Sequence, residues 1–259
     1  MRDVVILGST GSIGVQALEV IASHPDKFRV VALAAGSKRI ELLAKQVRDF
    51  NVPIVATTGD GKKLRDLLGN TEVVDGKDSA KTVAAVSCDV VLNGINGSIG
   101  LGPTLSALEA GNTVALANKE SLVAGGDLVI SHGRDRLIPV DSEHSALFQS
   151  LKAGRPSEVK KMVLTASGGP FRGKKLDELK NVNLDETLKH PTWNMGPVVT
   201  INSATLMNKG LEIIEAHYLF DLPYSKIEAV IHPQSIVHPP VSFLHHRPFL
   251  TFRFTLVAK

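Results

Sequence analysis

The sequence holds one cysteine, one tryptophan and two tyrosines in 259 residues, and no apolar run near the roughly 20 residues that a membrane-spanning helix requires. The lone Cys88 excludes an internal disulfide and fits a reducing compartment. Net charge is also scarce: 29 Lys and Arg against 26 Asp and Glu leave +3. With the two signs interspersed, an extended nucleic-acid or membrane surface is not expected, although a local basic pocket could hold a small anion. Met1, Arg2 and Asp3 run directly into the apolar VVILG, so no signal segment is expected ahead of the fold and the chain is read as cytoplasmic. The length suits one large domain or two ordinary ones.

What is present begins with VVILGSTGSIG at 4–14, an apolar strand, a glycine-rich turn and the start of an amphipathic helix. Gly8, Gly11 and Gly14 stand in a GxxGxxG spacing related to the dinucleotide fingerprint: Gly8 for the tight turn, Gly11 for close approach of a pyrophosphate, Gly14 for helix-on-strand packing. A tight βα turn in an unrelated α/β domain would use the same residues. The second strand, near 30–36, ends in Gly36, Ser37, Lys38 and Arg39, with no acid before Glu41. Basic residues at this point favour the 2′-phosphate of NADPH over the free ribose of NADH, unless they only open a solvated helix.

Helices and strands then alternate to about residue 134, which implies a mainly parallel, doubly wound sheet, here a Rossmann-type NADPH-binding domain over 1–150. The glycine-rich 93–103 fits a loop over the cofactor, or plain turn chemistry. Lys119 and Glu120 follow the strand TVALAN, on the side of the sheet where such folds bind ligands.

The stretch LIPVDSEHSALFQSL, 137–151, turns from a short strand into a helix. Strand alternation points Asp141 and Glu143 the same way, half of an oxygen site for Mg²⁺ or Mn²⁺. The competing reading is that Asp141 and Ser142 only cap the helix. From 151 a smaller α+β domain is expected to run to 238. In it Ser167, Gly168 and Gly169 after a strand form a plausible anion nest. An irregular stretch at 181–202, carrying Trp193 and Met195, reads as a lid near 187–198. A helix from about Ser203 to Phe220 places Asn208, Glu212 and Glu215 on one stripe beside Lys209. A solvated polar face would show the same pattern. Beside the DSE sequence, Glu212 reads as a third metal ligand, with Asn208 and Lys209 as anion contacts.

Seven segments in order carry a family resemblance: GSTGSIG (8–14), LANKESLV (116–123), PVDSEH (139–144), SGGPF (167–171), HPTWNMG (190–196), NSATLMNKGLE (202–212) and HPQSIVH (232–238). Together they resemble the 1-deoxy-D-xylulose 5-phosphate reductoisomerases, NADPH- and metal-dependent enzymes of the non-mevalonate isoprenoid pathway. The resemblance implies metal ligands at Asp141, Glu143 and Glu212. It implies catalytic or substrate-contacting roles for Lys119, Glu120, Ser142, His190, Glu215 and His232. Phosphate contacts would come from Ser167, Ser203, Asn208 and Lys209, and lid contacts from His190, Trp193 and Met195. NADPH would meet Gly8, Thr10 to Ile13 (with Gly11 and Ser12), Gly36, Ser37, Lys38, Asn118, Glu120 and Gly196. Lys38 stands where the family usually has Asn, and it can still meet a 2′-phosphate.

The resemblance also implies a homodimer and a further helical domain after HPQSIVH. This sequence instead has no Asp or Glu after Glu228, and four of its nine Phe, at 243, 249, 252 and 254, fall in the last 17 positions. Residues 239–259 are therefore expected to be an atypical, exposed, Phe-rich basic tail. A chain lacking the helical domain would either retain the family's reaction or survive as a catalytically impaired NADPH-binding remnant.

Overall fold

The computed structural model describes residues 1–191, 196–234, 236, 241–243 and 248–249. It divides into two compact units, Met1–Val140 and the residues from Asp141 onward.

The first unit opens on β1 (Arg2–Leu7), α1 (Ser12–Ala22), β2 (Phe28–Ala35), α2 (Ile40–Asp49), β3 (Ile54–Thr57), α3 (Gly61–Leu68) and β4 (Glu72–Asp75). It continues with α4 (Ser79–Ala84), β5 (Val90–Asn93), α5 (Leu101–Glu109), β6 (Thr113–Leu116), α6 (Lys119–Ile130) and β7 (Leu137–Pro139). The seven strands lie in the order β4-β3-β2-β1-β5-β6-β7, every pair parallel. This is the doubly wound sheet expected from the alternation. Its order reverses between β1 and β5, so the ligand crevice of such a fold opens at the carboxyl ends of those two strands. Parallel strands are covered on both faces and read as continuous apolar runs; Val5, Ile6, Leu7, Ala32 and Leu33 are wholly buried. Each large aliphatic side chain so buried contributes about 1.5–3 kcal/mol. One layer of that core joins Ile6, Leu33, Leu43, Val55 and Leu64 across the sheet and the helices α2 and α3.

The second unit contains α7 (Ser142–Ser150), β8 (Val159–Ala166), α8 (Leu184–Thr187), α9 (Pro197–Ala204) and α10 (Met207–Phe220). Three further strands follow, β9 (Ile227–Ile231), β10 (Val241–Phe243) and β11 (Pro248–Phe249). Its mixed sheet runs β11-β10-β8-β9, with β9 parallel to β8, β10 antiparallel to β8 and β11 antiparallel to β10. Leu147 of α7, Met162 and Leu164 of β8, and Ala216 of α10 form its core together with Val241 and Phe243. Thus the stretch set apart in the sequence as a tail supplies β10 and β11 to this sheet, with Val241 and Phe243 in its core. Phe243 packs so closely on Gly154 that a Cβ there would lie 2.6 Å from its ring.

Two local expectations are corrected. The single helix expected from Ser203 to Phe220 is two helices, because Leu206 takes a left-handed backbone (φ 60°) between α9 and α10. The stretch expected to be irregular over 181–202 contains α8 and the start of α9. Asn183 and Glu186 close a capping box on the first, and Pro197 sits at the first turn of the second. Among the described residues no helix is long and apolar enough to cross a membrane.

Candidate functional site

In the first unit the Gly8–Ile13 loop turns from β1 into α1. Gly8 has φ +81°, a conformation side chains rarely adopt, and a Cβ on it would lie 2.8 Å from the carbonyl oxygen of Gly94. A Cβ on Gly14 would lie 2.5 Å from both Gly8 O and Ser9 Cα, so only glycine lets α1 start against the turn. Gly11, Ser12 and Ile13 are exposed at the helix N-terminus, where backbone N–H groups favour an anion. This cradle, open to a phosphate and closed to side chains, fits a dinucleotide.

Arg39, read in the sequence as a basic residue for a 2′-phosphate, and Gln46, which has no role there, hold the loop in place. Arg39 Nη1 donates to Thr10 O at 2.9 Å, and buried Gln46 Nε2 donates to Ser9 O at 2.9 Å. Both lie beyond the end of β2, and only the fold brings them to the loop. Gly36, Ser37 and Lys38 are exposed at the end of β2. On the other side, Asn118 caps α6 by accepting from Ser121 N at 2.9 Å, and its Nδ2 donates to Glu120 Oε2 at 3.2 Å. Lys119 is buried at the first position of α6.

In the second unit Asp141 stands at the N-cap of α7, yet its side chain accepts no capping hydrogen bond. One carboxylate oxygen each from Asp141, Glu143 and Glu212 lie within 4.8 Å of one another. The route to this grouping differs from strand alternation. The strand β7 ends at Pro139, and Glu143 reaches the cluster from the first turn of α7. The stripe on α10 is not a solvated face either: Lys209, Glu212 and Glu215 are 7%, 1% and 1% exposed.

Buried carboxylates need compensation. Lys209 Nζ contacts Glu143 Oε1 at 3.0 Å and also Glu212 Oε2, while Asn208 Nδ2 donates to Glu212 Oε1 at 2.5 Å. Burial would push the Lys209 ammonium down, but the Glu212 and Glu143 charges outweigh it and hold it above the usual lysine value. The Ser142 hydroxyl donates to Glu143 Oε2.

Sequence reasoning gave no role to His144, which is wholly buried. Its Nε2 lies 2.9 Å from Glu212 O and its Nδ1 3.3 Å from Glu215 Oε2. The carbonyl partner assigns a proton to Nε2. Asp141, His144 and Glu215 form a second grouping of possible ligands, in which the buried His144 Nδ1 makes no hydrogen bond. The all-oxygen set Asp141, Glu143 and Glu212 is the better fit to a hard divalent cation. The signal available in the sequence was spacing: Asp141 and His144 are three apart on one helical face.

Nearby in the chain, Ser167 follows the last residue of β8 and its Oγ lies 3.0 Å from His190 Nε2. Burial holds the His190 imidazole below its ordinary pKa, and the ring and the hydroxyl share this hydrogen bond. Gly169 packs on Ser203, where a Cβ would lie 2.6 Å from Ser203 O; the serine loop and the end of α9 are thereby brought together. His232 N donates to Ala166 O at 2.7 Å, extending the sheet to the residue before Ser167. Gly196 is exposed at the N-cap of α9. Trp193 and Met195 lie outside the described residues.

Two family models match the chain, 1-deoxy-D-xylulose 5-phosphate reductoisomerase over residues 4–126 and the C-terminal domain of the same family over 137–220. The reductoisomerase of Beutenbergia cavernae is 56% identical over 251 residues, covering 94% of this chain and 64% of the relative. That of Streptomyces coelicolor is 54% identical, covering 93% and 60%. The chain thus spans less than two thirds of the length of these curated relatives. Among solved structures, the Zymomonas mobilis reductoisomerase in complex with NADPH superposes with a TM-score of 0.90 at 38% identity, covering 98% of this chain and 67% of that one. A DOX-P reductoisomerase in complex with NADPH, fosmidomycin and magnesium gives 0.89 at 37%, covering 97% and 66%. With both of its units matched in order, the chain belongs to the 1-deoxy-D-xylulose 5-phosphate reductoisomerase family.

Proposed function

We propose that the protein converts 1-deoxy-D-xylulose 5-phosphate to 2-C-methyl-D-erythritol 4-phosphate, using NADPH and Mg²⁺ or Mn²⁺, in isoprenoid biosynthesis. The observation that carries this reading is the grouping of Asp141, Glu143 and Glu212, three carboxylates from α7 and α10 within 4.8 Å in a chain of this family. A divalent cation held there would supply Lewis acidity for a carbon–carbon rearrangement, and NADPH in the glycine cradle would supply the hydride for the reduction.

The chain's own residues have three tasks. Asp141, Glu143 and Glu212 would hold the cation in an oxygen-only set, with Glu212 buried and the other two half-buried. Asn208 and Lys209, on the same turns of α10 as Glu212, together with Ser167 and Ser203, take the substrate phosphate. Binding energy from that remote group can then be used to orient the reacting carbons. Ser142 takes the substrate backbone, and Glu215 lies buried beside the cluster, its Oε2 3.3 Å from His144 Nδ1. His190, hydrogen-bonded to Ser167, orients that hydroxyl at the anion site, which His232 adjoins through its bond to Ala166.

Gly8, Thr10, Gly11, Ser12 and Ile13 face the cofactor pyrophosphate, and Gly36, Ser37 and Lys38 the 2′-phosphate. The roles of Lys119, Glu120 and Gly196 and a homodimer rest on the family resemblance, and a cytoplasmic location on the single cysteine, which fits a reducing compartment. The reading is tested by incubating the purified chain with 1-deoxy-D-xylulose 5-phosphate, NADPH and Mn²⁺ and identifying the product by NMR. Formation of 2-C-methyl-D-erythritol 4-phosphate in step with NADPH consumption supports it; unchanged substrate with a folded, NADPH-bound chain overturns it.

A further inference from the structure

At the carboxyl ends of β5 and β6, four fully or almost fully buried polar residues, Asn93, Thr104, Asn118 and Ser121, lie in a ring of hydrogen-bonding groups. Asn93 Nδ2 donates to Thr104 Oγ1 at 2.8 Å, and Thr104 Oγ1 approaches Ser121 Oγ at 3.3 Å. The Ser121 hydroxyl donates to Asn118 Oδ1, and Asn118 Nδ2 donates to Ile95 O at 2.5 Å and Gly97 O at 2.9 Å. Ile95 N then returns to Asn93 Oδ1 at 3.1 Å. A second tie secures the far end of the same loop, where Gly100 O accepts from Asn93 Nδ2 at 2.9 Å and lies 3.0 Å from Thr104 Oγ1, whose one proton it shares with Ser121 Oγ.

Such a ring is costly to bury unless every member is satisfied, and each bond polarises the next. Its product is a fixed position for the loop from Gly94 to Gly100. That loop is one wall of the crevice where the strand order reverses: Gly94 N donates to Leu7 O at 2.9 Å, and Gly94 abuts Gly8 of the opposite wall. The half of the sheet from β1 to β3 takes the adenosine end of a dinucleotide, so the β5 side faces the nicotinamide end.

We propose that Asn93, Thr104 and Ser121 are positioning residues for the nicotinamide half of the cofactor, acting through the loop that their hydrogen-bond ring holds against Gly8. The inference rests on the NADPH reading above. No one of the three residues needs to touch the cofactor.

The test compares the full chain with Thr104→Val, which keeps the shape and removes the hydroxyl, and with Thr104→Ser, which restores it. Binding of NADPH and of adenosine 2′,5′-bisphosphate, which carries only the adenosine end, is measured by calorimetry on samples shown by melting to be folded. Thr104→Val should bind NADPH about tenfold more weakly, bind the bisphosphate as the parent does, and recover in Thr104→Ser. Ser121→Ala, which deletes a single oxygen of the ring, should behave as Thr104→Val and serves if the valine variant does not fold. Equal weakening toward both ligands, or no weakening toward either, overturns the proposal. If the parent chain itself binds neither, the NADPH reading fails and takes the proposal with it.

Discussion

His144 Nε2 lies 2.9 Å from the main-chain oxygen of Glu212, so α7 and α10 are joined at the residue whose carboxylate completes the oxygen cluster. The link fixes how far Glu212 stands from Asp141 and Glu143, because both of those sit within one turn of His144. Replacing His144 with Leu leaves that carbonyl and Glu215 without their imidazole partner. A loss of about 1–3 kcal/mol in urea unfolding is expected, with Mn²⁺ affinity, read by electron paramagnetic resonance, down about tenfold or more. Unaltered Mn²⁺ affinity in the variant would show that the helix pair keeps its spacing without the imidazole.

Lys209 is the cation that this structure places between Glu143 and Glu212. Lys209→Met strands a wholly buried carboxylate, and unfolding should become easier by about 3 kcal/mol. A divalent cation bound by the same carboxylates stabilises the folded state by mass action. Saturating Mn²⁺ should therefore recover more stability in the variant than in the parent, a difference that paired denaturant titrations with and without metal measure directly. Equal gains in the two proteins would mean that the ion binds elsewhere.

Gly14→Ala puts a Cβ 2.5 Å from backbone atoms of Gly8 and Ser9, which cannot yield as a flexible side chain would. The start of α1 must shift, and overpacking of this kind costs about 1–3 kcal/mol. NADPH binding should fall steeply, as fluorescence titration of the reduced nicotinamide would show, while Mn²⁺ binding in the second unit is retained.

Much of the first unit was legible because its signals are local. The β1 run, Gly8 and Gly14, and the alternation of short apolar strands with helices each depend on neighbours in sequence. The second unit was less so. Glu212 and Lys209 read equally well as a surface ion pair until α10 was seen to bury them. His144 gave only its spacing from Asp141, since its partners Glu212 and Glu215 lie on another helix. Leu206 carries no sequence mark of the left-handed backbone that splits one expected helix into two. Val241 and Phe243 looked like an apolar excess near the end of the chain because their pairing partner β8 lies some 80 residues earlier. Long-range pairing is what single-sequence patterns report least.

Burial lowers the His190 pKa from its ordinary 6.5, which fixes the sign of a pH effect. The unfolded chain binds this proton more readily, so the stabilising contribution is complete above the unfolded value and is lost as pH falls through the folded one. Protonation also changes the hydrogen bond that the ring shares with the Ser167 hydroxyl. NMR titration of the imidazole should give a midpoint below 6.5, and His190→Gln, which keeps an acceptor without titrating, should flatten the acid limb of the stability profile. A midpoint at or above the ordinary value would contradict this environment.

The most direct test of the account is the metal dependence of NADPH oxidation in the presence of 1-deoxy-D-xylulose 5-phosphate, followed by the absorbance of the reduced nicotinamide. It compares the parent chain with Glu212→Gln. The account predicts turnover that requires Mg²⁺ or Mn²⁺ and falls about a hundredfold or more when Glu212 loses its charge. Turnover indifferent to the metal or to Glu212→Gln, or no turnover in a folded chain that binds NADPH and Mn²⁺, would contradict it.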